Sequence, residues 1–135
     1  TLTLNTIRRH QSKLTRVRVA SVKSPWMNRC QVGDIHTVAI SHGEGRFICP
    51  AELVEKLALN GQIAAQYADE QGQPGMDMAV NPNGSLWAVE ALTSADGRVF
   101  GRMGHPERWV KDNFQNVPGN FDTGLFESAV EYYRI

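Results

Sequence analysis

Arg98-Val99-Phe100-Gly101-Arg102-Met103-Gly104-His105-Pro106-Glu107-Arg108 is the stretch whose reading decides the fold. Residues 98–103 alternate around apolar positions, the period of a strand. Pro106 fixes its own φ and biases His105 away from the helical region. In an extended chain, residues two apart point the same way. His105 and Glu107 therefore share a face, with the carboxylate placed to orient the imidazole. A base held in one tautomer by a carboxylate is two members of a nucleophilic triad, and the stretch contains no nucleophile. The same residues also suit a surface turn bearing a solvated ion.

Working back from this stretch, Ser94-Ala95-Asp96-Gly97 turns the chain, and residues 85–92 alternate as a second strand. The two form an antiparallel hairpin that ends at His105. Asn81-Pro82-Asn83-Gly84 is a turn that launches the first of them. Further back, residues 14–23 and 35–41 read as strands, rich in β-branched residues. Arg16 and Arg18 share one face of the former, a pattern that a solvated face explains. Residues 62–68 read as another strand, and residues 69–75, polar and glycine-containing, as a mobile loop. Between them, residues 50–60 form a helix with Pro50 in its first turn, Leu53 and Leu57 four apart, and Asn60-Gly61 as its stop. Residues 122–133 make the last helix, with Leu125, Ala129 and Tyr133 at one spacing and Phe126 and Val130 beside them. Ser41-His42-Gly43-Glu44-Gly45-Arg46-Phe47 is a loop whose glycines permit either a plain hairpin connection or a close backbone approach.

The 135 residues suffice for one domain, residues 1–135, and the composition, 41% apolar and 21% charged, is ordinary for a globular protein. Fourteen basic residues balance fourteen acidic ones, so there is no electrostatic footprint for nucleic acid or for an anionic membrane surface. No apolar run reaches the length of a membrane span, and no signal peptide opens the chain. The first residue is Thr1, and a processed or excised piece of a longer protein is the expectation. Cys30 and Cys49 are too few for a disulfide framework and read as reduced thiols of a cytoplasmic protein. No metal site is expected: there is no Cys-x-x-Cys, and His10, His36 and His42 lack helical ligand spacing. No phosphate loop or dinucleotide fingerprint appears, so no cofactor is expected on this segment. Neither cysteine has the flanking glycines of a nucleophile elbow, although Cys49 precedes a helix.

Taken in order, Asn5-Thr6-Ile7-Arg8-Arg9-His10-Gln11-Ser12-Lys13, Ser41-His42-Gly43-Glu44-Gly45-Arg46-Phe47, Gln66-Tyr67, Asn81-Pro82-Asn83-Gly84-Ser85 and His105-Pro106-Glu107-Arg108 resemble the glutaminase domain of phosphoribosylformylglycinamidine synthase. That domain is a class I glutamine amidotransferase of purine biosynthesis. The resemblance covers nearly the whole chain, and the ordered set is far more specific than any one motif. Gly104, where the family often has Pro, and Phe126-Glu127-Ser128-Ala129 look more like the long single-chain form than the small separate subunit.

The resemblance implies an α/β, flavodoxin-like fold with a mixed sheet and helices, here an incomplete C-terminal portion rich in antiparallel strands. It implies that the nucleophilic cysteine precedes Thr1, that His105 and Glu107 are catalytic, and that His42, Gly43 and Glu44 line the pocket or meet the synthetase. It implies glutamine as substrate and a synthetase domain of the same polypeptide as partner, with ATP and Mg belonging to that domain. Two other readings stand beside it: a non-catalytic module that docks to a synthetase, and an unrelated hydrolase using Cys30 or Cys49 near His105. A half-domain would expose strand edges, so either self-association through an edge strand or exchanged segment, with residues 14–23 and 35–41 the strands to pair, or marginal stability is expected.

Overall fold

A computed structural model describes residues 1–134. Among them, seven strands and two helices follow one another: β1 (Leu2–Thr3), β2 (Gln11–Val19), β3 (Ile35–His42), β4 (Arg46–Phe47), α1 (Ala51–Leu59), β5 (Ile63–Ala68), β6 (Val89–Thr93), β7 (Phe100–Arg102) and α2 (Leu125–Tyr133). Five strands form one sheet in the order β3-β2-β5-β6-β7, while β1 and β4 make a separate pair. Each of these pairings is antiparallel. The α/β class holds, with the mixed sheet of the expectation replaced by an antiparallel one among the described residues.

The core lies on both sides of this sheet. On one side Val17, Val38, Ile40 and Tyr67 pack with Ala88, and Val19 packs with Met27, Cys30 and Leu125. On the other, Val54 of α1 meets Ile63 and Val89. The helix α1 buries Val54 alone; Leu53 and Leu59 of its apolar set are exposed. In α2 the buried residues are Leu125, Ser128 and Ala129. The Phe126 and Val130 of the expected stripe face out, and Ser128 turns inward because its Oγ donates to Gly124 O and accepts from Arg29 N.

Several details differ from the sequence reading, among them the start of α2 at Leu125 and the span of β7, Phe100–Arg102. β2 runs from Gln11 to Val19 because nearly all of its length pairs with β3, Gln11 opposite His42 through Arg18 opposite Ile35. β6 starts only at Val89: Trp87 and Ala88 both hold left-handed angles, φ 53° and 54°. They break the alternation and accompany register shifts between β5 and β6. The 69–75 loop is a tight turn, with the Asp69 carboxylate accepting from the N–H groups of Gln71 and Gln73.

β2 lies between β3 and β5 in the sheet, but only its residues 16–18 are paired on both sides; residues 11–15 pair with β3 alone. The outer side of β3 is occupied in part: Thr37 N donates to Asn120 O and His105 N to Ala39 O. The free edge expected along these two strands is thus partly taken, at residues 16–18 of β2 and at Thr37 and Ala39 of β3. The sheet curls until the chain leaving β7 reaches β3 at its opposite end, and the contact falls at His105.

Candidate functional site: a histidine–carboxylate dyad held by a buried ion pair

Residues 100–102 of β7 pair with β6, after which Met103 N donates to Glu90 O. The next N–H, that of Gly104, donates to the Glu90 carboxylate at 2.7 Å. The third, that of His105, donates to Ala39 O at 2.8 Å. The backbone before His105 is thus fixed at successive residues from opposite sides. Gly104 is required by space: a Cβ there would lie 2.7 Å from Val38 Cγ2 and 2.8 Å from Glu90 Oε1.

Glu90 is the centre of this support. Its side chain is wholly buried, and Arg102, 9% exposed, donates to both carboxylate oxygens at 3.0 and 3.1 Å. A carboxylate can be kept in such a place only by a fixed donor set. Strand alternation over residues 85–92 gives Glu90 no special place. The available signal was one acid and one base, each inside an apolar run, on the two arms of one hairpin.

His105 Nδ1 and Glu107 Oε1 are 2.7 Å apart, so the pairing read from the sequence is present. Its route differs. His105 leaves the extended region at φ −109°, ψ 76°, and Pro106–Arg108 form a short 3-10 turn. The turn, rather than strand alternation, carries Glu107 back to the ring. Burial acts to raise the Glu107 pKa, but the hydrogen bond from His105, with the backbone N–H and the nearby Arg108, leaves it below the usual carboxylate range. An ionised Glu107 accepting from Nδ1–H leaves the Nε2 lone pair of His105 for proton transfer.

His42, Gly43 and Glu44 lie where β3 ends. The plain hairpin connection is absent, since β4 pairs with β1 and not with β3. Buried Asn5 braces the loop instead: its N donates to Gly43 O at 2.8 Å, its Nδ2 to His42 O at 2.7 Å, and its Oδ1 accepts from Gly45 N. Asn83 Nδ2 donates to Tyr67 OH at 2.7 Å, which turns Asn83 Oδ1 toward His42 Nε2 at 2.8 Å. His42 Nδ1 is buried with no hydrogen-bond partner among the described residues. Burial lowers the His42 pKa, the Asn83 hydrogen bond opposes this, and the charges of His105 and His10 add to the lowering. The structure thus brings His42 within electrostatic range of His105, whereas Glu44 stands exposed.

The cysteines are elsewhere. Cys49 packs with the Val54, Ile63 and Val89 cluster. Cys30 stands with Asp34 and His36, three potential ligands that the spacing argument did not group. Burial, then the charge of Asp34, pushes the Cys30 thiol up, which makes it a poor nucleophile. No helix among the described residues is long and apolar enough to cross a membrane.

Comparison with known proteins places this geometry. A family profile for the CobB/CobQ-like glutamine amidotransferase domain matches residues 1–133. Phosphoribosylformylglycinamidine synthase subunit PurQ of Aquifex aeolicus is 38% identical over 100 residues, covering 74% of this chain and 43% of the relative. PurQ of Salinibacter ruber is 31% identical over 135 residues, covering 100% of this chain and 55% of the relative. The structure of PurLQS from Thermotoga maritima superposes with a TM-score of 0.74 at 23% identity, covering 98% of this chain and 52% of that one. The fold is that of a class I glutamine amidotransferase. The chain spans about half the length of the curated relatives it matches.

Proposed function

The chain belongs to the CobB/CobQ-like glutamine amidotransferase family, and we propose that it supplies the acid–base dyad of a glutaminase serving phosphoribosylformylglycinamidine synthase. The observation that carries the reading is the His105–Glu107 pair at 2.7 Å, on a backbone clamped by Glu90 and Ala39. A cysteine outside this chain would attack the side-chain amide of glutamine. His105 Nε2 would take the thiol proton and return it to the departing ammonia; Glu107 would hold the tautomer and stabilise the imidazolium. The resulting thioester would be hydrolysed by water to glutamate. Ammonia would pass to a synthetase that uses ATP and Mg to convert formylglycinamide ribonucleotide to the amidine.

The partner is that synthetase. The relatives named above are subunits, whereas Gly104 and residues 126–129 favour the single-polypeptide arrangement, which we adopt. The braced loop at His42, Gly43 and Glu44 is assigned to the wall of the glutamine pocket or to the synthetase contact. The compartment is the cytoplasm. A docking module without catalysis is the poorer reading, because docking gives no reason to fix a histidine–carboxylate pair by a buried ion pair.

The test uses the complete gene product with its synthetase. His105→Ala is expected to lower glutamine-dependent turnover by ~10²–10⁴, the usual worth of general acid–base catalysis, and to leave turnover with added ammonia unchanged. Equal loss with both nitrogen sources refutes the assignment and makes His105 structural.

A further inference from the structure

We propose that Cys30, Asp34 and His36 form a binding site for one zinc-class divalent cation, a role that nothing in the dyad chemistry requires. A thiol sulfur, a carboxylate oxygen and an imidazole nitrogen from these three residues lie within 4.8 Å of one another. Cys30 is 8% and His36 7% exposed, while Asp34 is half-buried and gives the cluster its opening to solvent.

The local fold assembles them. Cys30 N donates to Met27 O at the end of the 25–27 turn. Asp34 Oδ2 then accepts from Gln31 N at 2.7 Å, and Gly33, at φ 98°, lets the chain double back. β3 starts at Ile35, so that His36, paired across the sheet with Val17, points to the same interior side as the core residues of β2. The spacing Cys-x₃-Asp-x-His matches no helical or knuckle motif; the turn alone brings it together.

The chemistry selects the ion. Thiolate and imidazole donors favour zinc over hard cations such as magnesium and calcium, and three protein ligands leave one tetrahedral position open. One thiolate and one carboxylate neutralise a dication, which a buried site demands. A neutral imidazole is the form that ligates. Cys30 Sγ–H donates to Thr123 O at 3.3 Å. On binding, that proton leaves to solvent and a zinc–sulfur bond forms, so uptake of one cation releases one proton.

The experiment takes the complete gene product from cells grown with added zinc and no chelator, measures bound metal, and titrates metal-stripped protein with cobalt(II). The expected result is about one zinc per chain and a thiolate-to-cobalt charge-transfer band. Cys30→Ser should abolish the band, and His36→Gln should weaken zinc binding by more than the ~10–100-fold that an outer-shell change costs. Wild-type protein that retains no zinc and develops no band overturns the proposal, whether or not the variants fold. So does zinc that persists in Cys30→Ser and His36→Gln.

Discussion

Removing the Glu90 carboxylate tests the support beneath His105. In Glu90→Ala the guanidinium of Arg102 stays buried without its partner, and breaking a buried pair from one side costs about 3–5 kcal/mol. The Gly104 N–H also loses its acceptor, and an unsatisfied buried donor costs about 1–3 kcal/mol. Against a total stability of about 5–15 kcal/mol, Glu90→Ala should leave the domain largely unfolded or barely stable. The informative variant is the double replacement Glu90→Leu/Arg102→Met. An ordinary buried ion pair can be replaced by apolar side chains at little or no cost. Here the Gly104 N–H, 2.7 Å from Glu90, has nothing to replace its acceptor. The double variant should therefore recover most of the loss and remain about 1–3 kcal/mol below wild type. Urea denaturation of wild type, both single variants and the double closes the cycle. Additive single effects would show that Glu90 and Arg102 do not act together. A double variant as stable as wild type would refute the role of the Gly104 hydrogen bond. If the folded double variant also loses glutamine-dependent turnover with ammonia-dependent turnover intact, the same hydrogen bond positions His105.

The dyad itself predicts an order of damage: Glu107→Gln keeps a hydrogen-bonding group 2.7 Å from Nδ1 but removes the charge, so glutamine-dependent kcat should fall by less than the ~10²–10⁴ expected for His105→Ala, and the reverse order would contradict the roles assigned. Gly45→Ala would drive a Cβ into the imidazole of His42; overpacking of this kind costs about 1–3 kcal/mol, readable as a lower urea midpoint, and a midpoint equal to wild type would show that the ring has room to move. The His42 pKa is depressed, chiefly by burial, below its ordinary 6.5, so between the two values the unfolded chain binds the proton that the folded one refuses. Its contribution is fully present above pH 6.5 and is lost as pH falls through that value toward the folded pKa; His42→Gln should flatten that part of the stability–pH curve, and an unchanged curve would mean that His42 titrates normally.

What was legible in the sequence was whatever depends on near neighbours. The Ser94–Gly97 turn and the hairpin it joins, a strand near residues 35–41 and a helix near 50–60 follow from local φ restrictions, alternation and turn chemistry; the adjacency of His105 to Glu107 was legible too, although a 3-10 turn and not alternation produces it. The order of motifs carried the family, because several short patterns at fixed spacings are far more specific than any one. Even locally, the left-handed pair Trp87-Ala88 was hidden, since neither residue type announces such angles. Only the tertiary structure decided that residues 16–18 are paired on both sides and that Asn120 and His105 take part of the free side of β3. Edge or centre is a property of pairing between distant strands, which alternation along one strand does not encode. The same holds for Glu90: a carboxylate in an apolar run is a solvated face until the sheet curls, brings β7 and β3 together, and encloses it with Arg102. Cys30, Asp34 and His36 are the third case. Their spacing carries no ligand signature, and it is the turn at Gly33 that points three donors at one another.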